Sequence, residues 1–202
     1  MRLSRTLIAV AMTVPLGACA SMLFGKSDPV QLYRFGSMDP PATAPVEDRI
    51  PLVLAPIEFP AGTEDDRILT SSGGQVAYLA GARWIGPADD LYVASLEAAF
   101  LSQARRVRMS DRRELPRADL TLDLDILSFE ARYPNGTEAA PTVVVAGRAR
   151  LLGPDRSVRA ERTFMVEQPT AENRVSAIVT AFDAATSDFN RQVVAWVDGT
   201  AG

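Results

Sequence analysis

The chain has 202 residues, 47% of them hydrophobic and 23% charged, a composition able to bury an ordinary core and a length suited to one domain plus a tail or linker. Its formal net charge is −4, without the basic excess that nucleic-acid binding requires. Histidine is absent and cysteine occurs once. These absences remove the commonest general base and metal ligand, the usual partner of a Ser or Cys nucleophile, and any intramolecular disulfide.

The lone cysteine sits where a leader ends. Arg2 and Arg5 form a short positive region, and Leu7 to Leu16 is an apolar run far below the roughly 20 residues that span a bilayer. Leu16-Gly17-Ala18-Cys19 then resembles the bacterial lipobox, in which the thiol is lipidated and the leader is cut just before it. The competing reading is a plain secretory signal with Cys19 a bystander. The lipobox resemblance implies three acyl chains on Cys19, an effectively permanent anchor because two or more chains hold stably. Ala20 follows the cysteine rather than Asp, which by analogy with the enterobacterial sorting rule favours the outer membrane over the inner. Without residues 1–18 the chain keeps 19 basic and 25 acidic residues, a net charge of −6.

Residues 19–29 read as a lipidated tether, and 30–199 as one folded domain. Val30 to Phe35 reads as a first strand. Gly36 to Arg49 holds three prolines, Pro40, Pro41 and Pro45, and reads as a linker or long loop. Leu52 to Phe59 reads as a strand with Pro56 at an edge or bulge. Ile68 to Leu79 reads as a hairpin turning at Gly73-Gly74. Pro87 opens a helix over about 88–105, with Asp89 and Asp90 at its positive end and Val93, Leu96, Phe100, Ala104 and Val107 along one face. Leu120 to Phe129 alternates, with Leu120, Leu122, Leu124 and Ile126 inward and Thr121, Asp123 and Asp125 outward. Thr142 to Leu152 and Val158 to Val166 form a hairpin through Gly153-Pro154-Asp155-Arg156. Thr170 is placed to cap a last helix, with Val175, Ile178, Phe182, Ala185, Phe189, Val193 and Trp196 at helical spacing and Gly199 at its end. The order, with a weak strand at Val107–Ser110, reads β-β-β-α-β-β-β-β-α. The expected fold is α+β: a mainly antiparallel sheet with two amphipathic helices packed on one face.

The chain carries no ordered catalytic constellation. Asp119, Asp123 and Asp125 suggest a carboxylate metal site, but alternation puts 123 and 125 about 7 Å apart on one strand face, where solvation is the plainer reading. Glu64-Asp65-Asp66 is equally an acidic turn. There is no nucleophile elbow, Walker loop, dinucleotide fingerprint or zinc-protease motif. No enzymatic activity, metal or cofactor is expected. Arg83-Trp84-Ile85-Gly86-Pro87 is more unusual: Trp beside Arg can anchor an interface, or Trp84 can pack under the helix with Arg83 paired to an acid.

With these elements in order, the chain resembles the ABC-type transport auxiliary lipoprotein family. The matching residues are Tyr33, Pro56, Asp66-Arg67, Tyr78 and Arg83-Trp84 with Pro87, followed by the strand Asp119 to Ile126, a hairpin and a C-terminal helix. Two departures touch the loop contact rather than the fold. Gly86 stands where the family usually has an acid, and an acidic loop replaces the commoner Tyr-Leu before Asp66-Arg67. The resemblance implies a non-catalytic accessory of an MCE-type ABC transporter of phospholipid or other apolar lipid. It would dock the periplasmic MCE component to the outer membrane, as a homo-oligomeric ring in one version. It also makes Asp66, Arg67, Tyr78, Arg83 and Trp84 candidate partner-binding residues. The alternative classes are an envelope-assembly lipoprotein (a cell-wall synthase activator or secretion-apparatus subunit), a lipid carrier with its own cavity, and an enzyme.

Overall fold

The computed structural model describes residues 29–36, 49–63, 65–110 and 119–201. The expected leader, Cys19, most of the tether, most of the proline-rich loop and Glu64 lie outside the described residues. The elements are β1 (Gln31–Tyr33), β2 (Ile50–Leu54), β3 (Arg67–Ser72), β4 (Gln75–Trp84), α1 (Ala88–Gln103), β5 (Val107–Ser110), β6 (Leu120–Arg132), β7 (Thr142–Leu152), β8 (Val158–Pro169) and α2 (Val175–Thr200). The class is α+β, with four strands before α1, because the hairpin that the expected order counted once supplies two of them.

The sheet is mixed. Its long ladders, β6–β7 and β7–β8, are antiparallel, as is the β3–β4 hairpin. Shorter pairings of β1 with β4, β2 with β5, β2 with β6 and β3 with β6 are parallel. Strand β6 organises the whole: β7 runs along one edge, while its other edge takes β2 near Leu120–Leu122 and β3 near Ala131–Arg132. Between these, Pro56 has no N–H to give to a ladder, so β2 stops at Leu54, and the chain rejoins only at Glu58, whose carbonyl accepts from Ile126 N at 2.8 Å.

The alternation predicted for β6 holds through Ile126. Leu127 is then an extra residue, with Ile126 opposite Gly147 and Ser128 opposite Ala146. This bulge changes the phase, so Phe129 and Ala131 continue the buried row that Leu120, Leu122, Leu124 and Ile126 began. The helices cover that buried face. Gly147 sits under α2, where an added Cβ would lie 2.9 Å from both Phe189 Cζ and the Asp125 carbonyl. Phe129 meets the rings of Phe35, Phe59, Trp84, Tyr92 and Phe182 with centroids 5.0–6.4 Å apart. Each such buried side chain is worth about 1.5–3 kcal/mol of transfer free energy.

Three sequence expectations shift. In α1 the buried stripe runs through Tyr92, Ser95, Leu96, Ala99 and Phe100, so Val93 lies beside it rather than on it. That helix stops at Gln103 because Asp198, in the last turn of α2, accepts the backbone N–H groups of Arg105, Arg106 and Val107 at 2.6, 3.1 and 3.2 Å. Thr170 does not cap α2. Its N–H and hydroxyl both donate to the Pro141 carbonyl, at 3.0 and 2.7 Å, closing the end of the β7–β8 ladder, and α2 begins five residues later. Gly199 lies within the last helical turn.

Candidate partner-binding face

Where β3 and β4 meet α1, the strand register sorts the candidate residues by side, and a shift between Arg67 and Leu69 brings Arg83, five residues on from Tyr78, to the same side. Arg67 lies opposite Arg83, and Leu69 opposite Tyr78. Arg67, Tyr78 and Arg83 point away from the helices, and Trp84 points toward them. The Asp66 carboxylate accepts from Arg83 at 2.7 Å. The Arg67 guanidinium lies 3.9 Å from the centre of the Tyr78 ring and bonds Asp65 at 3.0 Å. Asp65 and Asp66 also tie the backbone: their carbonyls accept from Ala88 N at 3.2 Å and Trp84 N at 2.6 Å. The short acidic turn therefore holds the start of α1 against the end of β4.

Asp66, Arg67, Tyr78 and Arg83 thus share the outward side. Trp84 is 1% exposed and packs at 4.9 Å on Phe35 and 5.3 Å on Phe182. Of the two readings open for Trp84, the ring occupies the core one.

The acidic strand face has a different answer from either solvation or metal. Arg148 donates to Asp125 at 2.7 Å, and Arg150 reaches Asp123 at 3.0 Å and Asp125 at 3.3 Å. Asp125 is 8% exposed, buried beneath the two guanidiniums. Its hydrogen bond and charge hold Arg148 more firmly protonated. Among the described residues no group of three potential ligands is placed to hold a metal. The sequence signal for this lattice was the Arg148, Arg150 alternation on β7, legible only once its register against Asp123 and Asp125 is known. Further along, burial of Glu130 raises its carboxyl pKa, but hydrogen bonds from Ser71, Arg132 and Ser128 outweigh that and hold it below the ordinary range.

Clefts open at the surface between described residues. One of about 420 Å³ lies between the Gly73-Gly74 turn, Glu130 and Arg132, and one of about 350 Å³ lies between the end of β8 and α2. The space between sheet and helices is filled by the aromatic cluster, and the Tyr92 hydroxyl there is kept neutral by burial. No described helix is long and apolar enough to cross a membrane.

Solved structures share this architecture. Protein XCC0632 from Xanthomonas campestris is 23% identical over 86% of this chain and 95% of its own, with a TM-score of 0.66. A second solved protein, described only as uncharacterized, is 15% identical over 84% of this chain and 99% of its own, with a TM-score of 0.64. The minor lipoprotein of Acinetobacter baumannii is more distant, at 13% identity over 75% of this chain and 94% of its own, with a TM-score of 0.42. The first two likenesses concern the fold. None of the curated proteins matches the sequence. The model of the family described as the ABC-type transport auxiliary lipoprotein component matches residues 33–194, from β1 through most of α2, and the chain belongs to that family.

Proposed function

We propose that this protein is a non-catalytic accessory of an MCE-type ABC transporter, held on the periplasmic face of the outer membrane by acylated Cys19. There it docks the periplasmic MCE component during intermembrane transport of phospholipid or a similar lipid. The family match over residues 33–194 carries the reading. An extended tether of about ten residues reaches only about 35 Å, and three acyl chains do not leave a bilayer readily. A domain on such a leash works where it is fixed, which suits docking better than shuttling.

The docking surface is the outward side of the β3–β4 hairpin. Asp66, Arg67, Tyr78 and Arg83 offer two arginines and a tyrosine, residue types that dominate interface energetics, already held by the Asp66–Arg83 and Arg67–Tyr78 contacts. A ring of copies would present that surface several times over.

The deciding experiment is a pull-down of the native lipoprotein from solubilised envelopes. An MCE protein and ABC subunits are expected with it; recovery of neither overturns the proposal. Cys19→Ser is expected to abolish acylation and leave a soluble or uncleaved form. Membrane attachment that survived this change would remove the anchor from the reading.

A further inference from the structure

Edge strands β1 and β8 both expose large apolar side chains, but only β1 follows directly on the expected tether in the sequence. Strand β1 is an outer strand, paired through Gln31, Leu32 and Tyr33 with Ala82, Arg83 and Trp84. Tyr33 lies on the side of buried Trp84, so Leu32 lies on the opposite side with Arg83. Ile85 N donates to the Tyr33 carbonyl at 2.7 Å, which sets Ile85 just past the end of β4, two residues beyond the Arg83 that faces Leu32. Val30, Leu32 and Ile85 are 47%, 62% and 51% exposed. Arg34 is exposed beside them. An apolar patch bordered by an arginine suits a bilayer surface, where the aliphatic residues enter the acyl boundary and the guanidinium stays with the phosphates.

We propose that Val30, Leu32 and Ile85 form a lipid-facing patch on which the domain rests against the bilayer holding its anchor; this rests on the acylation of Cys19 proposed above. The chain itself argues for lipid over another occupant. Val30 follows Cys19 by eleven positions, a reach of about 38 Å at most, and the patch is the first folded surface the chain meets beyond that tether. The opposite edge, β8, lies five strand spacings away, about 24 Å, and its exposed Met165 is a matched comparison site at 58% exposure.

The test uses the full acylated protein in phosphatidylethanolamine–phosphatidylglycerol vesicles. Because Cys19 is the native cysteine and its sulfur is blocked by acylation, Leu32→Cys, Ile85→Cys and Met165→Cys each supply one free thiol for a nitroxide label. All three sites are exposed, so the substitutions leave the core alone. Labels at 32 and 85 are expected to lose several-fold in collisions with a water-soluble relaxer and to gain collisions with oxygen, while the label at 165 stays water-exposed. Labels at all three sites equally exposed to water, in protein that floats with the vesicles, overturn the patch and leave the anchor standing. Spin–spin broadening at 32 assigns the patch to a second copy instead and likewise overturns the proposal. Failure of the protein to float overturns the acylation reading on which the patch rests.

Discussion

Strand β6 presents two unlike surfaces. Under the helices, Leu120, Leu122, Leu124, Ile126 and Phe129 are all buried among aromatic rings from β4, α1 and α2. On the other side, Asp123, Asp125 and Glu130 are matched by arginines from β7 and from β6 itself. The inner face works by shape and area, so each side chain is tightly constrained by volume. The outer face works by pairing partly exposed arginines with more deeply set acids, where the cost of desolvating the carboxylates offsets much of the attraction. One face therefore secures the fold, and the other is free to carry interactions.

The comparison is tested most severely inside. Phe129→Ala is expected to cost about 3–5 kcal/mol in equilibrium unfolding; a loss below about 1 kcal/mol would show that the ring cluster is not the core. Gly147→Ala adds a methyl where Phe189 and the Asp125 carbonyl leave no room and is expected to cost about 1–3 kcal/mol, read as a lower midpoint in urea. Unchanged stability would mean that α2 does not approach the sheet so closely. Asp198→Ala strips the acceptor from three backbone donors. It is expected to cost about 1–2 kcal/mol and to speed hydrogen exchange at Arg105, Arg106 and Val107 ahead of the rest of the chain.

The outer face should respond more gently. Glu130 has a lowered carboxyl pKa in the folded state. Its contribution is present above the pH at which an unfolded carboxylate titrates, and it is lost as pH falls through the lowered folded value. The stability gap between the native protein and Glu130→Gln, below about 1 kcal/mol, is expected to narrow on acidification. A gap that widened would reverse the sign of the interaction. Smallest in stability is Arg83→Ala, expected to shift unfolding by less than about 1 kcal/mol while reducing recovery of the partner in the pull-down. If stability fell sharply and recovery did not, Arg83 would belong to the framework rather than to a docking face.

Much of the candidate face was legible without coordinates. Arg67 and Tyr78 lie on two strands joined by a Gly-Gly turn, so hairpin geometry brings them together; Arg83 joins them only through the register shift between Arg67 and Leu69, which the sequence did not announce. Trp84 was undecidable in sequence because the residue suits a core and an interface equally. Its side follows from the pairing of β4 with β1, a partner 51 residues earlier in the register. The Asp123–Arg150 and Asp125–Arg148 pairs were hidden for a similar reason: alternation names the face of each strand but not what stands opposite.

The sequence by itself determined what neighbouring residues dictate: the Gly73-Gly74 turn, the β7–β8 hairpin, the alternation of β6 as far as Ile126, and the two helical stripes in outline. These follow from backbone sterics and side-chain periodicity within about ten residues. Tertiary structure alone decided the parallel insertion of β2 between β5 and β6, the bulge at Leu127, the use of Thr170 to close a ladder, and the end of α1 against Asp198. Each of these joins residues distant in the chain. Such a contact forms only when the whole core can be buried at once, so no local pattern announces it.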